Sequence, residues 1–405
     1  MFTIVKTVAR YSVLLPFLFF PITGTAQETG NKREIVLGMS TALSGPAGDL
    51  GKNMKQGVLT GLERANRSGG VHGGKLKLIA LDDGYEPTQT APNMRRLIQK
   101  EKVLAVIGNV GTPTAIAAIP IANEQKTLLF AAFTGAGVLR KTPPDRYVIN
   151  YRASYAEETA AMIDALIGPA GLKPQDIAFF TQRDGYGDAG YVGGISALKR
   201  HGLKDENAII HARYERNTLA VENALADVLL ASTSPKAVIM VGAYAPCAKF
   251  IELGTEAGLD ALFLNVSFVG SAPLARELGE RRDKVIVTQV VPHPQEKDLP
   301  IVKDYHDDLQ AFDPKAVPTF GSLEGYIAAR IFIRALEKIK GLPNRESVIE
   351  ALDGLNSFDM GLGKPLHLSA KRHQASHRIW PTVLKKGKFV PFKWKDIASM
   401  MKSGK

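Results

Sequence analysis

The feature that most constrains this chain is the alternation of short apolar segments with stretches patterned as helices. From residue 34 onward the apolar segments have the length of buried strands: EIVLGMS (34–40), KLKLIALDD (75–83), VLAVIGN (103–109) and TLLFAAF (127–133). Helical patterns separate them, the first of which is GKNMKQGVLTGLERANRSGG. Strands that alternate with helices form a parallel sheet covered on both faces. We therefore predict an α/β fold.

The same alternation begins again in the second half of the chain. Residues 104–133 and 236–268 both read as a strand, a loop of small residues with a proline, a helix and a strand. We interpret this repetition as two similar lobes of one architecture. The C-terminal sequence RIWPTVLKKGKFVPFKW predicts a strand pair turned at Lys386 and Gly387. This tail is too small to be a domain, so we expect it to pack on an existing lobe.

The N-terminus has the pattern of a secretory signal peptide. Lys6 and Arg10 precede the apolar run VLLPFLFFPI (13–22), and a small-x-Ala cleavage signal ends at Ala26. We predict that residues 1–26 are removed. The run is shorter than the roughly 20 residues that a membrane helix needs. The mature chain is therefore expected to be exported and not membrane-spanning.

Charge and cysteine content exclude several other classes of protein. The chain of 405 residues has a formal charge of +11, and removal of the signal peptide takes away two cations and no acids. The remaining charges are spread evenly, without arginine-rich runs or interleaved aromatic residues, which argues against nucleic-acid binding. The single cysteine, Cys247, cannot form an internal disulfide. Stability must come from burial, and the chain is long enough for two cores.

Two glycine-rich stretches resemble nucleotide-binding loops but fail on detail. The turn DGYGDAG (184–190) spells G-x-G-x-x-G between a predicted strand and helix. A dinucleotide site also needs an acid at the end of the next strand, whereas Asp205 and Glu206 lie before that strand. The stretch GPAGDLGKN (45–53) resembles a P-loop, but its spacing is one residue too long and it ends in asparagine instead of Ser or Thr.

The sequence contains none of the expected catalytic constellations. It has no G-x-S-x-G nucleophile elbow. His367, His373 and His377 cluster, but the neighbouring lysine and arginines would repel a metal ion, and we interpret the histidines as surface residues before a strand. Cys247 would need a histidine base that the sequence does not place, and we interpret it as a buried small residue. We expect no enzymatic activity, no metal and no cofactor.

The loops that follow the predicted strands are rich in glycine, hydroxyl and aromatic residues. Ligands of open α/β sheets bind at this edge. Thr112 and Thr134 offer hydroxyls, exposed amides at the helix start near Thr112 favour a carboxylate, and Tyr155, Tyr186 and Tyr244 offer flat faces with a polar end. Such loops occur on both lobes, which predicts a cleft that closes by a hinge. For any one loop, the alternative is that its glycines only end a strand.

From about residue 34 to residue 394 the chain resembles the periplasmic leucine/isoleucine/valine-binding proteins of ABC importers. The resemblance rests on IVLGMSTALSGPAGDLGKNMKQGVLTGLERAN, AVIGNVGTPTAIAAIPIANE with LLFAAFTGAGVLR, DGYGDAG, VGAYAPCAKFIELGTEAG and HQASHRIWPTVLKKGKFVP. It implies the type I periplasmic binding protein fold, with two similar three-layer, Rossmann-like lobes joined by a three-segment hinge. The implied ranges are 34–152 with 286–367 for lobe 1 and 153–285 with 368–396 for lobe 2.

The resemblance also implies what the protein does and where. It implies a substrate-binding protein that captures a small-molecule ligand and delivers it to an inner-membrane ABC permease. The protein is expected to be a periplasmic monomer. DGYGDAG then looks like the family's Y-G-x-x-G turn, whose tyrosine faces the ligand. A sensor of the same fold that acts on a receptor or regulator, and an exported enzyme, are the alternatives.

The loops and the resemblance together predict a ligand site. The family's carboxylate-binding stretch matches Gly111 and Thr112, and its partner loop matches residues 133–135. The complete set of predicted site residues is Leu50, Gly111, Thr112, Phe133, Thr134, Gly135, Tyr155, Tyr186, Tyr244, Cys247, Ser267 and Phe268.

The predicted site departs from the family in its charge. Ser267 stands where the family has the glutamate that pairs with the ligand's ammonium, Cys247 replaces a second acid, and Leu50 replaces an aromatic residue. A buried ammonium without a carboxylate costs several kcal/mol. We therefore expect a less polar ligand than a zwitterionic amino acid, such as an aromatic or aliphatic carboxylate, an amide or a lipid-like molecule. Glu157 or Asp184 could still supply an acid from another direction.

Overall fold

The computed structural model describes residues 1–9, 33–280 and 283–402. The apolar run and the cleavage site of the predicted signal peptide lie outside these ranges, so the signal peptide stays a prediction. Within the described ranges, no helix combines the length and the apolar character needed to cross a membrane. The fold of residues 33–402 is built on two main sheets.

The first sheet contains five parallel strands in the order β2-β1-β3-β4-β5. The chain passes through eight elements to build it and its helical cover: β1 (Glu34–Thr41), α1 (Gly48–Arg67), β2 (Lys75–Asp82), α2 (Pro87–Arg95), β3 (Ala105–Ile107), α3 (Thr112–Glu124), β4 (Leu128–Phe130) and β5 (Val148–Ile149). β3 and β4 are fully buried, as expected for parallel strands with helices on both faces.

The second sheet repeats this plan and contains seven strands in the order β14-β13-β10-β9-β8-β6-β7. Its parallel part and its helices are α4 (Tyr155–Ile167), β6 (Ile177–Gln182), α5 (Gly185–Arg200), β7 (His211–Tyr214), α6 (Glu222–Leu229), β8 (Ala237–Val241), α7 (Tyr244–Glu256), β9 (Leu262–Asn265), α8 (Ser271–Leu278) and β10 (Val285–Gln289). The two similar lobes predicted from the alternation are therefore present.

The rest of the chain returns to the first sheet and then to the second. Its elements are α9 (Pro300–Phe312), α10 (Phe320–Lys338), α11 (Arg345–Asp353), β11 (Asn356–Phe358), β12 (Leu366–Leu368), β13 (Trp380–Lys385), β14 (Lys388–Pro391) and α12 (Ile397–Lys402). β13 pairs antiparallel with β10 and with β14. The C-terminal strand pair thus packs on an existing lobe, as predicted.

The long helix α10 lies directly against α1 because glycines let the two backbones approach. A Cβ atom on Gly57 would lie 1.8 Å from the carbonyl oxygen of Ser322, and one on Gly325 would lie 2.3 Å from the carbonyl oxygen of Met54. No side chain larger than hydrogen fits at either position. This contact attaches the segment after β10 to the first lobe, where it supplies Glu324 to the cleft.

Three chain segments connect the lobes, and two of them are hydrogen-bonded to each other. The N–H of Asn150 donates to the carbonyl of His373 at 2.7 Å, and the N–H of Ala375 donates back to Asn150 at 3.0 Å. The N–H of Ser376 donates to the carbonyl of Tyr151 at 2.8 Å. The third segment follows β10, which pairs with β9 through residues 285–287 and with β13 through residues 286–289. Residues 286–289 thus belong to the second sheet rather than to the returning segment, because their backbone groups are used in these two ladders.

Candidate ligand-binding cleft

Five aromatic side chains meet between the two lobes. Tyr85 and Phe133 come from the first lobe, and Tyr155, Tyr186 and Phe268 come from the second. The ring of Phe268 is at the centre, with centroid distances of 5.8 Å to Tyr85, 5.7 Å to Phe133 and 4.5 Å to Tyr186. The rings of Tyr155 and Tyr186 are 5.2 Å apart. We call these five residues the aromatic cluster, and all of them are buried.

One cavity borders the aromatic cluster at Phe133, and a second is lined by chain neighbours of Tyr155 and Tyr186. The inner cavity has a volume of about 20 Å³ and is lined by residues of both lobes, including Leu50, Phe133, Arg152 and Ser267. The outer cavity is an open groove of about 730 Å³ between α3, α4 and α5, and its lining includes Thr112 and Gly135. Five of the predicted site residues thus line a cavity next to the cluster.

A buried ion pair supports one side of the cleft. Nε and Nη2 of Arg152 donate to the two carboxylate oxygens of Glu324 at 2.9 and 2.8 Å. Arg152 lies in the first connecting segment and Glu324 on α10, and they are 1% and 3% exposed. The guanidinium carbon lies 4.2 Å from the ring centre of Phe133, a cation–π contact. The bidentate geometry fixes the plane of the guanidinium against the aromatic cluster.

Two polar atoms beside the aromatic cluster lack partners. Among the residues that the structure describes, Nη1 of Arg152 and the hydroxyl of Tyr155 accept or donate no hydrogen bond. Burial raises the pKa of Tyr155 to about 12, although the charge of Arg152 opposes the shift. The neighbouring Thr134 also opposes the rise in this pKa, and its hydroxyl is hydrogen-bonded to Thr112. Tyr155 therefore presents a neutral O–H group, and Arg152 a charged N–H group.

An acid occupies the end of the cleft where the sequence predicted only a neutral serine. Glu158 on α4 accepts hydrogen bonds from the backbone N–H of Ser267 at 2.7 Å and from its hydroxyl at 2.9 Å. The hydroxyl of Thr288 donates to the same carboxylate at 2.5 Å. Burial raises the pKa of Glu158, while Arg152 and these donors lower it. The assumption that this part of the site lacks an acid is therefore wrong.

The loop after β3 meets the loop after β4, as predicted. The hydroxyls of Thr112 and Thr134 are 2.7 Å apart and hydrogen-bonded. Gly111 has a φ of +104°, and a Cβ atom there would lie 2.1 Å from Cε2 of Tyr85. At Gly135 a Cβ atom would lie 2.7 Å from Cδ1 of Tyr155. Glycine is thus required at both positions for the tyrosine rings to reach the aromatic cluster.

The lobes also touch at the rim of the cleft through charged side chains. Arg216 on the second lobe pairs with Glu86 on the first lobe at 2.8 Å and with Asp184 on its own lobe at 3.0 Å. At another point of the rim, Arg276 on α8 pairs with Asp49 on α1 at 2.8 Å. These contacts hold the lobes together around the aromatic cluster.

This architecture has a known counterpart, since residues 34–388 match the family described as periplasmic binding protein. The chain belongs to the periplasmic binding protein family. This is a family of solute-binding proteins, and the resemblance inferred from the sequence is confirmed. So is the type I fold, with its mixed sheets and two lobes.

Individual relatives agree with this assignment. A solved structure described as a possible leucine/isoleucine/valine-binding protein from Rhodopirellula baltica SH 1 is 50% identical, with a TM-score of 0.88, and covers 90% of this chain and 98% of its own. A Leu/Ile/Val-binding protein homolog 7 from Brucella abortus is 26% identical over 353 residues, which are 82% of this chain and 83% of the relative. A fatty acid ABC transporter substrate-binding protein from Thermomonospora curvata is 19% identical, with a TM-score of 0.78 over 92% of this chain and 94% of its own, which shows only the fold.

In this binding protein the turn DGYGDAG packs α5 against its sheet and positions the side chain of Tyr186. Asp184 caps α5 by accepting a hydrogen bond from the N–H of Tyr186 at 2.9 Å. A Cβ atom on Gly187 would lie 1.9 Å from the carbonyl oxygen of Gln182, and one on Gly190 would lie 2.5 Å from Val241. The glycines therefore bring α5 close to its sheet. The ring of Tyr186 enters the aromatic cluster, and its hydroxyl donates to the carbonyl of Gly242 at 3.2 Å.

Three remaining predicted site residues lie at different depths. Leu50 packs across the cleft, since a Cβ atom on Gly270 would lie 2.5 Å from its Cδ2. Tyr244 begins α7 and is 7% exposed. Cys247 is fully buried, and a Cβ atom on Gly242 would lie 2.7 Å from its sulfur. Burial raises the pKa of the Cys247 thiol. The interpretation of Cys247 as a buried small residue therefore agrees with the structure.

The two acids proposed as substitutes for the family's glutamate already have hydrogen-bond partners, and Glu157 also lines the outer cavity. Glu157 accepts from Ser154 at the start of α4 and contacts Nδ1 of His377 at 2.6 Å. Asp184 pairs with Arg216. The interpretation of the histidines as surface residues is wrong for His373, which is 7% exposed, because its ring nitrogen contacts the carbonyl of Val148 at 2.9 Å in the packed hinge. In the part of the chain that the structure describes, no three His, Cys, Asp or Glu residues form a possible metal site.

Sequence reasoning missed Tyr85, Arg152, Glu158 and Glu324. The last of these comes from α10, which the sequence does not connect to the site. A weak signal existed for Arg152, a charged residue three positions after the buried strand β5. For Glu158 the Ser154-x-x-Glu157 capping box marks the helix start, but it does not show which way the next side chain faces.

Proposed function

We propose that this protein is the substrate-binding component of an ABC importer. It captures a small organic ligand between its two lobes and delivers it to an inner-membrane permease. The observation that carries this proposal is the interlobe position of the aromatic cluster, with the unpartnered polar atoms of Arg152 and Tyr155 beside it. No bond of the ligand is broken in this function. The protein acts as a periplasmic monomer after removal of residues 1–26.

Ligand capture requires the lobes to separate and close again. Three segments connect the lobes. The hydrogen bonds of Asn150 and Tyr151 to residues 373–376 join two of these segments into one hinge. The rim pairs of Arg216 with Glu86 and of Arg276 with Asp49 join opposite lobes, so they must break on opening. Exposed pairs of this kind contribute only about 0–1 kcal/mol each, which permits reversible opening. Lobe 1 then comprises 34–152 with the α9–α11 segment, and lobe 2 the second sheet.

The ligand site comprises the residues predicted from the sequence together with those that the cleft adds. The aromatic cluster supplies apolar contact area, and the hydroxyls of Thr112 and Thr134 lie at the outer cavity's edge. The groups added by the cleft are Tyr85, Arg152, Glu158 and Glu324. Ligands of such clefts are held by mostly apolar walls with a few converging polar groups.

The test is to purify residues 27–405 and screen small carboxylates, amides, amino acids and fatty acids by thermal shift. A ligand at 100 times its Kd should stabilise the folded form by about 2.7 kcal/mol. X-ray scattering should show a smaller radius of gyration with the ligand, and mass spectrometry should recover the ligand unchanged. A chemically altered ligand would favour an enzyme instead. Deletion of the gene should abolish uptake of the radiolabelled ligand; undiminished uptake with a changed transcriptional response would favour a sensor.

A further inference from the structure

We propose that Arg152 and Tyr155 receive the carboxylate of the ligand, and that the ligand is a small monocarboxylate with an apolar or aromatic body and no ammonium group. The inference deepens the proposed function and rests on it. Both residues are at most 1% exposed, yet each retains a buried polar atom without a partner among the described residues.

The hydrogen-bonding character of the two unpartnered groups determines which kind of ligand atom they can bind. Nη1 of Arg152 can only donate, and the Tyr155 hydroxyl is neutral and can donate as well. Leaving such buried groups unmet is costly. A carboxylate provides two acceptor oxygens and a negative charge, which suits one charged and one neutral donor. Both residues contact the aromatic cluster. Arg152 lies over the ring of Phe133, and Tyr155, itself a member of the cluster, contacts the ring of Tyr186.

The carboxylates of the cleft are already occupied by donors. Glu324 receives two hydrogen bonds from Arg152, and Glu158 receives three from Ser267 and Thr288. One buried acceptor on the second sheet is unmet, Oδ1 of Asn265. It is a neutral amide oxygen and cannot offset the charge of an ammonium. The buried cluster thus has donors without an acceptor, whereas each of its two buried carboxylates already accepts at least two hydrogen bonds.

Net charge alone does not choose between an acid and a zwitterion. Arg140 donates to the carbonyl oxygens of Ala136 and Arg152, at 3.0 and 2.9 Å, and has only neutral hydrogen-bond acceptors. Burial and the nearby Arg152 lower its pKa to about 10, so it remains charged at neutral pH. Arg140 and Arg152 together balance Glu158 and Glu324. The hydrogen-bond inventory, rather than the charge sum, therefore favours the monocarboxylate.

The experiment uses two matched sets of probes on the mature chain. Each set keeps one body and changes only the polar end: 3-phenylpropanoate, phenylalanine and 3-phenylpropanamide, and 4-methylpentanoate, leucine and 4-methylpentanamide. Isothermal titration calorimetry measures each Kd. We expect at least one acid to bind about tenfold or more tightly than its amino acid and its amide, the loss expected when a charge-assisted hydrogen bond is removed.

Variants test whether the carboxylate binds at Arg152 and Tyr155. Tyr155→Phe removes one hydroxyl that has no partner to lose, so it should leave the Tm within a few degrees and weaken binding of the acid about tenfold. Tyr305→Phe is the matched control, because its buried hydroxyl contacts Ser322 on the first lobe. Arg152→Lys should weaken the acid further, since a lysine cannot keep the pair with Glu324 and also reach the ligand.

The outcomes separate this inference from the proposed function. Equal or tighter binding of leucine or phenylalanine overturns the ligand class while the proposed function stands. Unchanged affinity of the acid in folded Tyr155→Phe means that water, not the ligand, satisfies these groups, and overturns the site. If none of the six probes binds at millimolar concentration, the ligand class is wrong, and the gene-deletion uptake experiment alone decides the proposed function.

Discussion

The carboxylate of Glu158 accepts hydrogen bonds from both the backbone N–H and the hydroxyl of Ser267, at 2.7 and 2.9 Å. The two residues are 109 positions apart, one in the first turn of α4 and the other after β9. Ser267, which the sequence predicts to stand in place of the family's glutamate, is therefore not an isolated neutral residue. It is the hydrogen-bond donor for an acid that enters from a neighbouring helix.

This relationship predicts the result of restoring the family's acid. Ser267→Glu removes a donor from Glu158 and places a second carboxylate beside it, so the variant should lose about 3 kcal/mol or more of unfolding free energy. It should not gain affinity for leucine. Urea denaturation and leucine titration measure the two effects. Adding Glu158→Gln to this variant should restore part of the stability, because only one carboxylate then remains.

Ser267→Ala is the control for the Ser267→Glu variant. It deletes one hydrogen bond to a buried carboxylate and adds no charge, so we expect a loss of about 1.5–3 kcal/mol. A Ser267→Glu protein as stable as the native chain would show that the two side chains are not neighbours.

The ion pair of Arg152 and Glu324 should be far more sensitive than an exposed pair. Glu324→Gln leaves a buried guanidinium without its counter-charge and should cost about 3–5 kcal/mol. The exposed pair of Arg146 with Glu346, 2.7 Å apart, is the matched control, and Glu346→Gln should cost at most about 1 kcal/mol. Urea denaturation of both variants measures the difference, and equal losses would contradict the burial of the Arg152 pair.

Gly111 should not tolerate a side chain. Gly111→Ala combines a φ of +104° with a Cβ atom 2.1 Å from Cε2 of Tyr85. The backbone strain alone should cost about 1–3 kcal/mol, and the displaced Tyr85 ring should loosen the aromatic cluster. At Gly137 an added Cβ meets no atom within 4 Å. Gly137→Ala should therefore change the stability by less than about 0.5 kcal/mol, and a comparison of the two Tm values tests the prediction.

Glu157 should make the hinge sensitive to acid. Burial tends to raise its pKa, but hydrogen bonds from His377, Ser154 and Gln374 outweigh burial and lower the pKa from 4.5 to about 2. A lowered folded-state pKa gives stability that is fully present above pH 4.5 and is lost as the pH falls towards 2. Glu157→Gln should lower the Tm at neutral pH and flatten its decline across this window. The exposed Glu256→Gln serves as the control and should retain the native decline; an unchanged decline in Glu157→Gln would refute the assignment.

Much of the fold could be predicted because strand and helix patterns are local. Most of the parallel strands of the two sheets are apolar segments next to a helical pattern, and the C-terminal pair turns at Lys386 and Gly387, where both φ angles are positive. The residue at which the chain leaves the second sheet after β10 could not be predicted, because VIVTQVV contains no break at that point. Its first three residues pair with β9 and residues 286–289 pair with β13, and only these two ladders show where pairing ends.

The site was predictable where it follows directly from strand ends. Phe133, Tyr155, Tyr186 and Phe268 were expected near one another, and they meet in the aromatic cluster. The charged half of the cleft was not predictable in this way. Its ion pair joins Arg152 to a helix 172 positions later, and no local pattern indicates such a partner.

The sequence by itself determined the α/β class, the two lobes, the C-terminal strand pair and the family, because these depend on residue periodicity and on contiguous motifs. Only the tertiary structure decided where the charges of the cleft lie. Glu158 and Ser267 come together because α4 packs beside the end of β9, and Arg152 meets Glu324 because α10 lies against α1. Each of these side chains is unremarkable in its local sequence, and its environment is set by burial and by partners that the chain brings from a distance.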